Sequence, residues 1–546
     1  MIKKSSSIIA WAVLGLAGLL VFVFLFNHAF PIASIDIRLD KQEVLDKATA
    51  YVRGQGYDLY GFQRTILFDS DSPASIYLQK TQGIKKSNDL IRAGIPIWFW
   101  SVRWYKELDK EGFYCDVDPT SGKIINFQHS LLDDAQGAKL YFKQAKALAE
   151  NKLQEQGVNL SVYDLKENNT KEQKNRTDYH FVWEKKDYAI DKARLRLSVS
   201  IYGDSLGYLA KYLDIPEEFT RGLQKDISLG QVLSIITTIF MFFFFIAAIV
   251  VLVIQFKKDR VNWKFGLVFG VLVSIITVLD FLNSIPLLWS AYPDTMSKGV
   301  FIALSAGSMF VGALLIGLII FLFGSSGQSL SDEVMRVKMP VLETLKTGNP
   351  NKAKILETFV VGYSLAFIFL GYISLFYILG TKYFNIWMPP EAEYSNILST
   401  CMPFLFPLTV AAGAAVSEEF MFRLFAISFF KKYMKLTWLS VLIPALIWAF
   451  AHSNYPVFPA YVRGIELTIA GIVFGIVFLK YGLEAVLITH FVIDAALVGL
   501  PLIKSQNAYF MISGIVVVGV VFLPVPLLML ISRKKRNSID AKLNLQ

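Results

Sequence analysis

Charge is scarce in this sequence. Only 18% of its 546 residues are Asp, Glu, Lys or Arg, against about a quarter in a soluble chain. With 54% hydrophobic residues, that shortage excludes a water-soluble enzyme of ordinary composition. Cysteine is scarcer still. Cys115 lies in a polar region and Cys401 in an apolar one, so no disulfide framework is expected. The N-terminus also lacks the form of a cleavable signal. Its apolar run, from about Ile8 to Phe26, exceeds a signal core of roughly 7–15 residues, and no small-residue cleavage site follows it. An uncleaved anchor with a cytoplasmic N-terminus is expected. No internal inverted repeat of spans is visible either, which counts against a transporter.

In place of charge the chain carries apolar runs. They fall at about 8–26, 229–255, 263–286, 299–323, 355–380, 397–430, 437–453, 464–480, 482–503 and 508–532. A membrane-crossing helix takes around 20 such residues. The expected fold class is a polytopic α-helical membrane protein of about ten spans, with an α+β extracytoplasmic domain inserted after the first span. The net charge of +10 fits a lipid bilayer as partner and needs no nucleic acid. Lys3-Lys4, Lys257-Lys258, Lys431-Lys432 and Arg533-Lys534-Lys535-Arg536 flank apolar runs, which is the positive-inside pattern. Alternation of spans agrees, placing both termini in the cytoplasm and residues 31–226 outside the cell membrane. The expected divisions are an anchor (1–30), the extracytoplasmic domain (31–226), three spans and a cytoplasmic loop (227–354), a last membrane block (355–533) and a basic cytoplasmic tail (534–546). The stretch 324–354 mixes Glu333, Arg336, Lys338, Glu343 and Lys346 and reads as a solvated amphipathic connector.

The polar domain contains a duplication. Lys47 to Leu59 aligns with Leu148 to Leu160, each a helix-like run carrying Gln-Gly near its end. Trp98 to Trp104 parallels Tyr179 to Glu184. Alternating strand patterns follow in both copies: Phe113 to Asp118 before a Pro119-Thr120-Ser121-Gly122 turn, and Leu195 to Ile201 before Gly203-Asp204. A helix, a strand and a strand–turn–strand ending in D-x-x-x-G-K-I resembles the PepSY module of extracytoplasmic proteins, chiefly in the first copy.

Three polar clusters interrupt the last membrane block, where an ionisable side chain costs at least roughly 2.5–3.5 kcal/mol. The first is Glu418-Glu419-x-x-x-Arg423. Glu419 and Arg423 are four apart with the acid N-terminal, so they can pair on one helix face. Glu418 points about 100° away with no local partner, which makes it the candidate general base. The second is Trp448-Ala449-Phe450-Ala451-His452, on a span containing Pro444; Trp448 lies one turn before His452 and can pack against its ring. The third is His490-x-x-x-Asp494, again on one face. His28, His129 and His180 lie elsewhere, so both histidines of the multi-span block belong to these clusters. Glu418, His452 and His490 stand 13, 17 and 10 residues from the nearest cytoplasmic basic residue. At roughly 1.5 Å per residue that is about 15–25 Å deep, so one shared site is plausible.

In this order the clusters resemble the motifs of the CPBP intramembrane proteases (CAAX proteases and bacteriocin-processing enzymes, also called the Abi family). Those motifs are E-E-x-x-x-R, F-x-x-x-H and H-x-x-x-N on successive helices, here within about 397–503. The resemblance implies an intramembrane endopeptidase acting on a membrane peptide or protein. Glu418 would activate the attacking water with His452 assisting, while Glu419 and Arg423 complete the first motif. His490 and Asp494 would stabilise the oxyanion. In the metalloenzyme view of the family, a divalent metal such as zinc would be held by Glu418, His452, His490 and Asp494. Two positions depart from the pattern. Trp448 replaces Phe, and Asp494 stands where Asn is found; Asn can donate to an oxyanion, whereas ionised Asp cannot. That shifts Asp494 toward orienting His490 or binding metal. The rival readings are a non-enzymatic membrane scaffold or immunity protein and a proton-coupled transporter. Oligomeric state is not legible.

Overall fold

The computed structural model describes residues 2–30, 35–349, 351–388 and 396–524. Helix α1 (Ile2–Ala29) leads into the mixed domain, formed by α2 (Lys41–Gly54), β1 (Gln63–Ser70), α3 (Ser72–Arg92), β2 (Trp98–Tyr105), β3 (Gly112–Val117), β4 (Ile124–Ser130), α4 (Phe142–Glu155), β5 (Tyr163–Glu172), β6 (Thr177–Ile190), β7 (Ala193–Tyr202) and β8 (Ser205–Asp214). The eight strands form one sheet in the order β1-β2-β3-β4-β8-β7-β6-β5. That order is palindromic. Each half is a four-strand antiparallel meander, and the halves meet where β4 pairs with β8.

The duplication seen in the sequence maps onto these halves. The two aromatic runs lie in β2 and β6, the next pair of patterns in β3 and β7, and the two turns follow them. Alternation gives the strands their faces: Trp98, Trp100, Val102 and Trp104 are buried, with Phe99, Ser101 and Arg103 between them less so. The helices repeat as well. α2 buries Val44, Ala48 and Val52, and α4 buries Ala145, Ala149 and Leu153, the same i, i+4 stripe. Asp40 starts α2 through a capping box with Glu43. Strands β1 and β5 and helix α3 were not anticipated from the sequence pattern.

The remainder is helical. It comprises α5 (Glu217–Phe256), α6 (Trp263–Asn283), α7 (Ile285–Ser290), α8 (Lys298–Val334), α9 (Pro340–Thr347), α10 (Lys352–Tyr383), α11 (Leu405–Glu418), a π-helical segment (Glu419–Ile427), α12 (Ser428–Met434), α13 (Thr437–Ala451), α14 (Val462–Tyr481), α15 (Leu483–Lys504) and α16 (Ala508–Phe522). Among the described residues seven helices are long and apolar enough to cross a membrane: α1, α5, α6, α8, α10, α14 and α15. The shorter apolar helices α13 and α16, and the succession from α11 to α12, occupy the other three expected positions. Outward-facing side chains are apolar, as a lipid-facing surface requires: Phe242 and Phe243 on α5 and Val268 on α6 are each more than half exposed. The expected end of the last span and the basic tail lie outside the described residues.

Two expectations are corrected. The first concerns 324–354, whose opening residues are packed in the bundle, while Arg336, Lys338, Glu343 and Lys346 further on are exposed, as the connector reading expects. Residues Gly324 to Ser331 continue α8 and are all buried. A Cβ on Gly327 would lie 3.0 Å from Leu424 in the π-helical segment, and one on Gly324 would lie 3.2 Å from the Phe420 ring. Small residues allow this close approach, and their weak hydropathy is what made the stretch look like a loop. Further on, Glu484 accepts the N–H groups of Val341 and Leu342 at 2.8 and 2.7 Å, pinning the start of α9. The second concerns the span expected from 397. Its first residues form a 3-10 turn (Asn396–Ser399), and the helix starts only at Leu405.

The sheet domain rests on the membrane block. Phe68 N–H donates to Ser399 Oγ at 2.9 Å, and Arg103 donates to the carbonyls of Ser290 and Tyr292. The ring of Trp387 stacks on Phe458 at 4.6 Å, with Ile76 of α3 and Leu223 of α5 in the same cluster. Helix α1 packs as part of the bundle. A Cβ on Gly18 would sit 2.5 Å from the Phe367 carbonyl of α10, and one on Gly371 would sit 2.6 Å from the Gly18 carbonyl.

Candidate active site

Glu418 and Glu419 straddle a change of helix type. Glu418 ends α11, and Glu419 opens the π-helical segment. Such segments are rare and often mark functional sites. The two carboxylates have unlike surroundings. Glu419 is fully buried and its Oε1 accepts from Arg423 Nη1 at 3.0 Å, the pair expected from their spacing. The same oxygen also accepts from His490 Nδ1 at 2.8 Å. Arg423 is 2% exposed, and its guanidinium lies 4.3 Å from the Trp448 ring centroid and 5.1 Å from that of Phe474. These cation–π contacts are the kind available to a desolvated arginine.

Among the described residues Glu418 has no hydrogen-bond partner on its own helix, as expected, but a distant one reaches it. The Trp448 indole N–H donates to Glu418 Oε2. Trp448 also packs edge-on against His452, as its position one turn earlier implied, with ring centroids 5.5 Å apart. The departure from Phe at this position therefore adds a hydrogen bond as well as bulk. Glu418 Oε1 faces His452 Nε2 and Oε2 faces His490 Nε2, each at 3.8 Å. Those gaps are too long for direct hydrogen bonds.

The outer partners set each ring's role. His452 Nδ1 lies 2.7 Å from the Trp448 carbonyl. A carbonyl only accepts, so Nδ1 carries a proton, and Nε2 is the nitrogen that faces Glu418. His490 Nδ1 meets Glu419, while its Nε2 lies 3.3 Å from Asp494 Oδ2. Both of its nitrogens thus face carboxylates.

Glu418, His452, His490 and Asp494 line one cavity of about 200 Å³. Arg463 and Glu466 line it too. They were missed in the sequence reading, although an Arg and a Glu three apart in an apolar run were a visible signal. Glu466 is 1% exposed and accepts from Arg463 Nη1 and from the Tyr377 hydroxyl, both at 2.7 Å. On α11 the lining residues Phe406, Val410, Ala414 and Glu418 recur every four, so one helix face borders the cavity along its length. That helix begins just past Ser399, which bonds to the sheet domain. The cavity therefore extends from Glu418 toward the sheet-domain end of the bundle.

Among the described residues no group of three or more His, Cys, Asp and Glu side chains is placed to hold a metal ion. Neighbouring ligands of a tetrahedral zinc ion, each about 2 Å from it, stand roughly 3.3 Å apart; the Glu418–histidine gaps are wider, at 3.8 Å, and Glu418 Oε2 is already engaged by Trp448. As placed, these residues do not fit a metal.

Comparison with known proteins finds likenesses to this block. The model of the Rce1-like family, described as type II CAAX prenyl endopeptidase Rce1-like, matches residues 400–496. The match runs from just before α11 to just past Asp494 and carries the likeness to the CPBP proteases. It does not reach the sheet domain, whose PepSY-like resemblance rests on sequence pattern alone. The chain is also similar to the sporulation-killing factor biosynthesis protein SkfC of Bacillus subtilis (strain 168), at 22% identity over 509 residues. That alignment covers 91% of this chain and 96% of the relative, so it takes in the sheet domain as well as the bundle. No solved structure matches the chain significantly.

Proposed function

We propose that this chain is an intramembrane endopeptidase that hydrolyses a peptide bond of a membrane-associated peptide or protein, with Glu418 as its general base. One observation carries the reading: Glu418, His452 and His490 come from three separate helices and converge on a single cavity within the bundle. A packing cluster would have its polar atoms satisfied by one another. Here Glu418 Oε1 and His452 Nε2 instead stand 3.8 Å apart at a space able to hold water.

In this reading a water beside Glu418 gives its proton to Oε1 as its oxygen attacks the scissile carbonyl carbon. His490, its ring fixed by Glu419 at Nδ1, donates from Nε2 to the oxyanion that forms, the Nε2–H turning from Asp494 as it does so. The departing amine takes its proton from Glu418, directly or through His452 Nε2. The products are a carboxylate and an amine, and the chain's own groups complete the proton cycle. The route needs no metal. Activity that persists after divalent cations are stripped is its expected outcome; activity lost to a chelator and restored by zinc overturns it.

The substrate we favour is a small precursor peptide maturing at the membrane. The relative's name places that protein in the biosynthesis of a sporulation-killing factor, and an endopeptidase would serve biosynthesis by cutting a precursor. The test is Glu418→Gln, nearly isosteric, compared with wild type by peptide profiling of membranes from cells making each protein. One or more peptides should be cleaved only with wild type, while the variant accumulates normally. Retained cleavage sinks the mechanism. Loss of the folded variant favours a scaffold in which the polar clusters hold helices together.

A further inference from the structure

A second cavity, of about 780 Å³, lies where the sheet domain meets the membrane block. Its sheet-domain wall carries Lys41 and Arg53 from α2 and Arg64 from β1. Its membrane wall carries Pro286 and Trp289 from α7, with Thr400 and Cys401 beside them. Three cations line this space and, among the described residues, no carboxylate does. Of the three, Lys41 is the desolvated one. Lys41 is half-buried, with its ammonium donating to the Thr400 carbonyl at 3.1 Å, and burial pushes it down to about 8. Arg53 and Arg64 stand exposed at the rim.

The cavity's position narrows what the anion is. Cys401 N–H donates to the carbonyl of Asn283, the last residue of α6, so the floor sits where α6 ends and just before α11 begins. That is the boundary between apolar helices and the polar domain, the level at which interfacial Trp residues collect. Trp289 occupies it. Beside it the outer face of α6 presents apolar side chains such as Ile275, Leu279 and Leu282.

We propose that this cavity is a binding site for the headgroup of an anionic phosphoglyceride, its phosphate held by Lys41, Arg53 and Arg64 and its acyl chains lying along α6. Cations without carboxylates select the phosphate, and the apolar wall selects a lipid over free phosphate. The proposal is independent of the endopeptidase reading.

The test uses the full chain in a neutral detergent, followed by native mass spectrometry with dioleoyl phosphatidylglycerol, dioleoyl phosphatidylcholine or inorganic phosphate added. Wild type should retain phosphatidylglycerol in preference to phosphatidylcholine, and millimolar inorganic phosphate should not displace it. Each of the exposed-site variants Arg53→Gln and Arg64→Gln should bind about fivefold more weakly, and the triple variant with Lys41→Gln about a hundredfold. Equal retention of the two lipids, or binding by the variants equal to wild type, overturns the site. Displacement by inorganic phosphate overturns the lipid as its source. Should the triple variant misfold, the two single rim variants decide.

Discussion

Trp448 offers a sharp probe of the candidate site because its contribution can be separated into two parts. Its ring stacks on Phe474 with centroids 6.1 Å apart and lies beneath the Arg423 guanidinium. Its N–H holds Glu418 Oε2. Trp448→Phe keeps most of the ring contacts and removes the donor. A hydrogen bond to a charged group contributes roughly 1.5–3 kcal/mol. If that bond fixes the base where it meets water, its loss should lower kcat about 10- to 100-fold. KM should change little, because the bond is made to the enzyme's own carboxylate. The assay is single-turnover cleavage of a membrane peptide by protein in proteoliposomes, with thermal unfolding followed in parallel. A variant of unchanged unfolding midpoint and kcat within about twofold of wild type would refute the positioning role. A matched fall in kcat and unfolding midpoint would assign Trp448 to packing instead.

Arg423→Met removes one partner of a fully buried pair and leaves Glu419 charged among apolar rings. About 3–5 kcal/mol of destabilisation is expected, seen as a lower unfolding midpoint and yield, in contrast to Glu418→Gln. Cys401 is exposed and Cys115 buried; a membrane-impermeant maleimide applied to intact cells should label Cys401 alone, and labelling only after lysis would reverse the proposed orientation. Lys41 gives a pH signature. Its folded value, about 8, is below the usual 10.5, so between those values the unfolded chain binds more protons and stability rises with pH. Lipid-free wild type should gain stability relative to Lys41→Met as pH climbs from about 8 to 10, and a flat difference would show that Lys41 is not desolvated.

Much of this architecture was legible because the chain uses strong periodic signals. The ten apolar runs are each met by a helix, and the internal alignment of Lys47–Leu59 with Leu148–Leu160 anticipated α2 and α4. The misreadings share a physical origin. Gly324, Ser325, Ser326 and Gly327 have little hydropathy, yet small side chains are what lets α8 lie against the π-helical segment. Strand β5, with Tyr163, Leu165 and polar residues on an exposed edge, lacks the apolar alternation that betrayed β2 and β6. Glu466 was overlooked because its partners are split between neighbouring and distant sequence: Arg463 is three residues away, but Tyr377 comes from α10. Likewise, spacing could pair Glu419 with Arg423, but no local pattern could join Glu419 to His490 across 71 residues.

That link alters the meaning of the paired glutamates. Two adjacent carboxylates in an apolar helix repel each other and both resist burial, so the fold must treat them differently to keep both. The change of helix type falls between them. Within the wider π turn, Glu419 and Arg423 reach the same inner face, and the charge of Glu419 is spent on Arg423 and His490. Glu418, the last α-helical residue, keeps 24% of its side chain exposed where Glu419 keeps none. One carboxylate therefore sets the orientation of His490, while its neighbour retains an oxygen directed at the cavity. Under the proposed mechanism Glu419 acts only through the histidine it holds. Glu419 is thus more than an internal ion-pair partner in that proposal, since loosening it would misplace the proposed oxyanion donor even with Glu418 intact.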